Sequence, residues 1–436
     1  MDDGFGAILR SLQIRSAYRH RYAMPAHSAA RPGPSPDQLE AGTPGYRRAN
    51  LAMFVGGFAT FAMVYSTQPL LPLLAAEFGV GAASASLTVS ATTAGLALML
   101  IPASVLADRL GRQQVMKAAL VIAALFALAT AFAPDFGSLL VLRTLLGGVI
   151  AGLPAAAMAY IGEEIAPGAQ ARAMGLYIAG NALGGMSGRF VAALLTDWSS
   201  WRVALGMIGV LGAVSALVFW RRLPASRNFR ARAATPARIF ADTLAIYRDP
   251  GLPALFLVAF LAMGGFVGLY NFLGFRLLEP PYGLGQSAIG AIFLLYLVGT
   301  WASAASGRLA ERRGRRKVLW PMVAVMGAGL ALTLARPLWL IIAGVGVFTF
   351  GFFAAHALAL ASGWVGRRAG ERRALASALY LSSYYLGASV LGSLAGTAWA
   401  DWRWAGVAAL VGLCVLFTGA CALWLRRLPA PAGGAD

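Results

Sequence analysis

Ser104-Val105-Leu106-Ala107-Asp108-Arg109-Leu110-Gly111-Arg112-Gln113-Gln114 lies between two long apolar runs and returns in altered form as Gly307-Arg308-Leu309-Ala310-Glu311-Arg312-Arg313-Gly314-Arg315-Arg316-Lys317. Asp108 falls on Glu311, Gly111 on Gly314 and Arg112 on Arg315, all at one offset of 203 residues. An offset this large and this constant marks a duplicated half rather than a chance motif. Each copy packs a carboxylate, guanidiniums and a turn glycine into a connection too short to hold a domain. The duplication reaches further: Tyr177 and Tyr380 are again 203 apart, and the runs that contain them end at Asp197-Trp198 and Asp401-Trp402.

The runs around the motif set the class. The 436 residues are 59% hydrophobic and 12% charged, too little charge for the surface of a soluble domain. Apolar stretches of about 20 residues recur, the length that a hydrocarbon core of roughly 30 Å demands of a helix. The chain is therefore read as an all-α, polytopic membrane protein. The net charge of +19 is compatible with nucleic-acid binding, but its distribution points elsewhere. All but six of the 36 Lys and Arg lie in the tails and in alternate connections; the six are Arg143, Arg189, Arg202, Arg276, Arg336 and Arg403. This positive-inside bias predicts that both termini and the charged loops are cytoplasmic, with no nucleic-acid partner. Cys414 and Cys421, both in the last run, read as packing residues.

Residues 1–47, rich in Arg, Pro, Ser and Ala, read as a disordered cytoplasmic tail. Twelve spans are predicted at about 50–75, 86–107, 115–133, 138–160, 171–196, 202–221, 252–276, 287–307, 317–335, 338–362, 374–398 and 403–425. They form two bundles of six, 48–221 and 251–426, joined by a polar cytoplasmic loop at 222–250 and followed by a short cytoplasmic tail at 427–436. Trp198, Trp201, Trp399, Trp402 and Trp404 are expected to anchor one membrane interface, and Trp220, Trp320, Trp364 and Trp424 the other. Parallel duplication predicts a pseudo-two-fold axis along the membrane normal, with a site between the bundles near midplane.

The chain resembles the major facilitator superfamily over nearly all of residues 50–425. Residues 104–114 resemble that family's loop signature between spans two and three, G-x-L-a-D-R-x-G-R-k, with Ser104 and Gln113 departing from it. Arg143-Thr144-Leu145-Leu146-Gly147 resembles the fourth-span signature R-x-x-q-G without its glutamine. Gly180-Asn181-Ala182-Leu183-Gly184-Gly185 resembles the antiporter signature G-P-x-x-G-G, with Asn181 at the proline. The ensemble looks closest to the bacterial twelve-span efflux-permease, drug:proton antiporter-like branch. The resemblance implies alternating access between two bundles in the cell (inner) membrane. It also implies that Asp108 meets the start of span eleven.

A cytoplasmic latch is the first candidate site: Asp108, Arg109, Gly111 and Arg112, with Glu163 or Glu164 as the acid facing Arg112, and Glu311, Arg312, Gly314 and Arg315 in the second copy. The alternative is a tight turn carrying topology-setting charge. A guanidinium inside an apolar run needs water, a partner or the interface. Arg143 either lines a cavity, binding substrate or releasing protons, or snorkels to the interface. Arg189 has an anionic substrate or Asp197 as possible partners. Tyr270, Asn271 and Arg276 are candidates for the pore wall, with snorkelling the alternative for Arg276. Gly180, Gly184 and Gly188 share one helix face, a spacing for close helix contact. His356, the only histidine inside a span, is the best proton carrier, or else a neutral ring held by one hydrogen bond. Tyr65 and Gln68 precede Pro69, a kink-prone position, and Tyr380 and Tyr384 enrich span eleven in hydroxyls; with Asn181 they complete the candidate cavity. No Asp or Glu falls in the middle of any span.

The expected function is secondary active transport of a small organic solute, proton-coupled efflux first and import of an organic anion second; a non-transporting sensor or scaffold is a remote third. A catalytic centre is not expected, since no convergent nucleophile, base or metal set occurs, and no Walker sequence is present. No cofactor or metal is expected beyond a proton gradient, and the expected partners are the substrate and the bilayer, with the chain acting as a monomer.

Overall fold

The computed structural model describes residues 38–231, 235–358 and 364–428. Most of the expected N-terminal tail (1–37) and C-terminal tail (429–436) thus lies outside the described residues, as do 359–363 of the expected tenth span. The chain folds into long antiparallel helices: α1 (Pro44–Phe78), α2 (Ala82–Leu110), α3 (Arg112–Thr130), α4 (Phe136–Glu164), α5 (Pro167–Trp198) and α6 (Trp201–Arg222). The second half continues with α7 (Gly251–Leu278), α8 (Gln286–Arg313), α9 (Arg315–Leu332) and α10 (Leu338–His356). Among the described residues, ten helices are long and apolar enough to cross a membrane. α9 falls outside that set because Arg315-Arg316-Lys317 fill its first turn.

The last of the ten, Trp364–Arg427, has 64 residues. A continuous helix of that length would reach about 96 Å, some three times a hydrocarbon core. Its backbone leaves helical geometry at Trp402 and Arg403, and it runs as α11 (373–401) and α12 (404–427). The first half breaks in the corresponding place, where α5 ends at Trp198 and α6 begins at Trp201.

Because the helices alternate in direction, both copies of the loop motif emerge at the same end, called here the motif end; Asp197 and Glu279 mark the far end. Each copy joins two helices through one glycine. Gly111 has φ +107 and ψ 138, and Gly314 has φ +82 and ψ 139, a combination open to glycine and costly for a residue with a Cβ. The duplication is equally visible in the packing. A Cβ on Gly184 would collide with the Phe58 backbone of α1, and a Cβ on Gly387, 203 residues on, with the Phe260 backbone of α7. Small residues thus let α1 approach α5, and α7 approach α11, to backbone contact. The far end repeats too: Glu77 pairs with Arg202 at 2.9 Å, and Glu279 pairs with Arg403.

Three expectations are corrected. Residues 38–47 belong to the fold rather than to a tail: Leu39 N–H donates to the Glu164 carbonyl at 2.8 Å, Ala166 N–H donates to the Leu39 carbonyl at 3.1 Å, and α1 begins at Pro44. The 222–250 connection carries a helix, Pro236–Arg248, held to the second half by Asp242 with Arg372 (2.7 Å) and Asp249 with Arg368 (2.5 Å). Of the tryptophans expected at interfaces, Trp201, Trp364, Trp399 and Trp404 are buried. Trp201 packs on Phe78, and Trp399 on Phe272 and Phe275. Trp198, Trp220, Trp320, Trp402 and Trp424 remain exposed.

Candidate functional site

The two buried guanidiniums of the first half are bonded differently. Arg143 of α4 is 1% exposed; its Nε donates to the Thr88 carbonyl at 3.2 Å, Nη1 to the Met63 carbonyl at 2.8 Å and Nη2 to the Val64 carbonyl. The first segment of α1 stops at Tyr65, and a tight turn at Gln68–Leu70 carries the chain into Leu71–Phe78. Pro69 has no N–H to give back to the helix. The last carbonyls of a helix lack partners and carry its negative pole, and a buried cation meets both needs. Every Arg143 nitrogen therefore ends on a main-chain carbonyl beside the α1 break, where the side chain acts as a clamp.

Arg189 of α5 sits at that same break and is 2% exposed. Its Nη1 donates to Gly185 O at 2.6 Å, in its own helix, and its Nε to Gln68 Oε1 at 2.5 Å. Gln68 Nε2 in turn donates to Asn271 Oδ1 of α7 at 2.8 Å. Gln68 and Asn271 are themselves 203 residues apart, so the chain Arg189–Gln68–Asn271 crosses the pseudo-symmetry axis through one equivalent pair. The guanidinium carbon lies 4.0 Å from the Tyr65 ring centroid, 5.0 Å from that of Tyr296 and 5.3 Å from that of Phe293. Asp197 is not its partner: Asp197 Oδ2 accepts Ser287 N–H at 2.7 Å, across the halves.

An aromatic wall leads from this point towards the motif end. Tyr270 stacks on Phe293 and packs at a tilt against Phe266, and its hydroxyl bonds Thr349 Oγ1 at 2.7 Å. Phe266 stacks on Phe352 at 3.9 Å, and Phe352 on His356 at 6.2 Å. His356 Nδ1 is 3.2 Å from the Tyr380 hydroxyl, and its ring is 4.8 Å from that of Tyr384. Phe61, Phe353, His356 and Tyr384 are half-buried, whereas Tyr65, Arg189, Tyr270 and Tyr296 are fully buried.

The structure therefore brings Tyr65, Gln68, Arg189, Tyr270, Asn271, His356, Tyr380 and Tyr384 into one aromatic line. It leaves out two others besides Arg143. Asn181 presses its side-chain oxygen towards Gly57 and belongs to the α1–α5 contact. Arg276 donates to the Thr333 carbonyl, to the Ala335 carbonyl at 2.9 Å and to the Tyr282 hydroxyl at 3.4 Å, capping the end of α9. Three contributors escaped the sequence reading: Phe293, Tyr296 and Gln286, whose Nε2 donates to the Pro69 carbonyl. Tyr296 carried one signal, as the single phenol in an otherwise apolar and small-residue span.

At the motif end, Arg112 pairs with Asp108 and, at 3.1 Å, with Glu163 Oε1. Glu164 accepts the N–H groups of Arg227 and Asn228, each at 3.0 Å, and so holds the start of the connector. Asp108 has no bond to the start of α11 among the described residues. Arg109, Glu311 and Arg312 are exposed, Arg315 is half-buried, and neither Glu311 nor Arg315 forms an ion pair among the described residues. The Arg112 pairs lie within the first half. The bonds Gln68–Asn271, Gln286–Pro69 and Ser287–Asp197 join the halves, and all lie towards the far end. A groove of about 330 Å³ between α3 and α6 is lined by exposed apolar side chains such as Leu125, Leu217 and Trp220; it lies away from this line.

The profile of the Major Facilitator Superfamily matches residues 53–299 and 278–436. The inner membrane transport protein YnfM of Escherichia coli (strain K12) is 44% identical over 378 residues, 87% of this chain and 90% of its own length. The MFS-type transporter YybF of Bacillus subtilis (strain 168) is 41% identical over 387 residues, 89% of this chain and 94% of its own. Among solved structures, a bacterial homolog of the human lysosomal transporter Spinster, in an inward-facing and unoccupied conformation, superimposes with a TM-score of 0.73 at 17% identity. That match covers 88% of this chain and 98% of the other. With duplicated halves, an intramembrane polar site on their axis and relatives of this kind, the chain belongs to the major facilitator superfamily and is a multi-pass membrane transporter, not an enzyme.

Proposed function

We propose that this chain is a secondary active transporter that exports a small organic solute by alternating access, in exchange for protons, across a bacterial inner membrane. One observation carries the reading: the halves are bonded to each other at the far end, whereas the charged contacts of the loop motif stay within the first half. Rocking the halves about the Arg189–Gln68–Asn271 chain would break the far-end bonds and bring α2 against α11 at the motif end. In this reading twelve segments cross the bilayer, α9 and both parts of the broken last helix included, and both termini and the motif end face the cytoplasm. The state described is then open inward. His356, on the aromatic line and bonded to Tyr380, is the proton carrier, since no carboxylate occupies that line. No cofactor or metal takes part, and a monomer suffices.

Vesicles test this. In inverted vesicles, an inside-acid gradient should drive solute accumulation, and dissipating it should abolish the signal. Accumulation in right-side-out vesicles driven by an outside-acid gradient, and not by an inside-acid one, would establish import, the second reading; gradient-independent flux would remove proton coupling.

A further inference from the structure

The Arg189 guanidinium is ringed by Tyr65, Tyr296 and Phe293, and among the described residues no acid is paired with it. Its Nη2 makes no hydrogen bond among the described residues, in contrast to Arg143, whose three nitrogens are all engaged. Around it are three buried polar atoms without partners among the described residues: the Tyr65 hydroxyl, the Tyr296 hydroxyl and Asn271 Nδ2, on residues that are 3%, 5% and 1% exposed. A buried cation and three orphaned groups are costly together unless a ligand completes them. All four can donate hydrogen bonds, and a carboxylate accepts up to four.

We infer that Arg189 Nη2, Tyr65, Tyr296 and Asn271 form the head of a binding site for an organic monocarboxylate with an aromatic or apolar body, the carboxylate on the guanidinium and the body along Phe293, Phe353 and Tyr384. Arg189, the one cation of this site and without an acidic partner among the described residues, argues against a dianionic phosphate, which would call for more positive charge than this site holds. The faces of Tyr65 and Tyr296 already stack on the guanidinium, so its edge is the part left for a planar anion. Aromatic walls beyond the head favour a ring or chain over a sugar. The inference rests on the transport reading above and names the solute that would travel.

The test is a thermal-shift titration of the purified full chain with benzoate, 3-phenylpropionate and 1-naphthoate, each beside its neutral amide. At least one acid should stabilise, its amide should bind about ten-fold more weakly or not at all, and Arg189→Gln should abolish the preference. Arg189→Lys should recover part of the binding. Tyr296→Phe, which keeps the ring and so the packing, should weaken the acid about three- to ten-fold without lowering the unliganded melting temperature, since it removes a hydroxyl that has no partner in the absence of ligand. Equal shifts with acid and amide, or no shift with any acid, would overturn the inference. Vesicle flux separates the two proposals: acid binding without gradient-driven flux sinks the transport mechanism alone, and flux of a solute indifferent to Arg189→Gln sinks the carboxylate site alone.

Discussion

At Arg143, three donors end on carbonyls of α1 and α2, so removing the side chain strips partners from buried backbone rather than from a solute. Arg143→Met is expected to cost about 1–3 kcal/mol of stability for the exposed bonding deficit. It should lower the melting temperature and the yield of folded protein, with Arg143→Lys partly restoring both. A normal melting temperature with lost flux would return Arg143 to the cavity. This role was not legible in the sequence, because what the residue bonds is main chain, freed by a break one helix away. The pairing of Gln68 with Asn271 was half legible: their offset of 203 is in the sequence, but two unlike side chains gave no sign that they meet. Equivalent residues beside a two-fold axis must face each other, and nothing in a linear pattern says which residues lie beside it. Arg112 was read more fully, since its acidic neighbour at the end of α4 was limited to Glu163 or Glu164, and the pair forms with Glu163.

Elements joined by a single residue have no slack. Gly111→Ala and Gly314→Ala each place a Cβ on a positive-φ backbone and should cost roughly 1–3 kcal/mol, measurable as a fall in thermal stability. Neither glycine has crowding side chains close by, so the penalty is conformational. Gly184→Val and Gly387→Val should act through contact instead, prying α1 from α5 and α7 from α11. Protease resistance of the purified protein should collapse in both, while Gly175→Ala, with open space around it, should be silent. The helices themselves were legible from apolar length and motif spacing. Their interruptions were less so: the tight turn after Tyr65 is hinted at by Pro69, whereas the connector helix, Pro236–Arg248, is too short to span and sits in an arginine-rich connection that reads first as a loop. The buried tryptophans misled for a related reason, since a ring near a helix end serves membrane interface and inter-helix packing equally well.

For the whole molecule, the far end is where the halves hold each other. A double variant, Asp197→Cys with Ser287→Cys in a chain carrying Cys414→Ser and Cys421→Ser, should form a disulfide on mild oxidation and stop transport, with reductant restoring it. Transport that persists with the bond intact would mean that the halves do not part there. The parallel duplication that frames this behaviour was plain in the sequence, down to the offset. Which end is closed was not, because closure depends on contacts between residues remote in sequence, such as Gln286 with Pro69.

The connector is fastened at both ends to different halves: Glu164 grips it at Arg227 and Asn228, and Arg372 and Arg368 grip its helix at Asp242 and Asp249. Seven residues, 229–235, separate the grip at Asn228 from the helix that begins at Pro236, and seven residues of chain span at most about 25 Å. That stretch is a leash. On the alternating-access reading proposed above, its length would set the widest gape of the motif end while both grips hold, so the stroke would be limited by a tether between the halves as well as by the helices themselves.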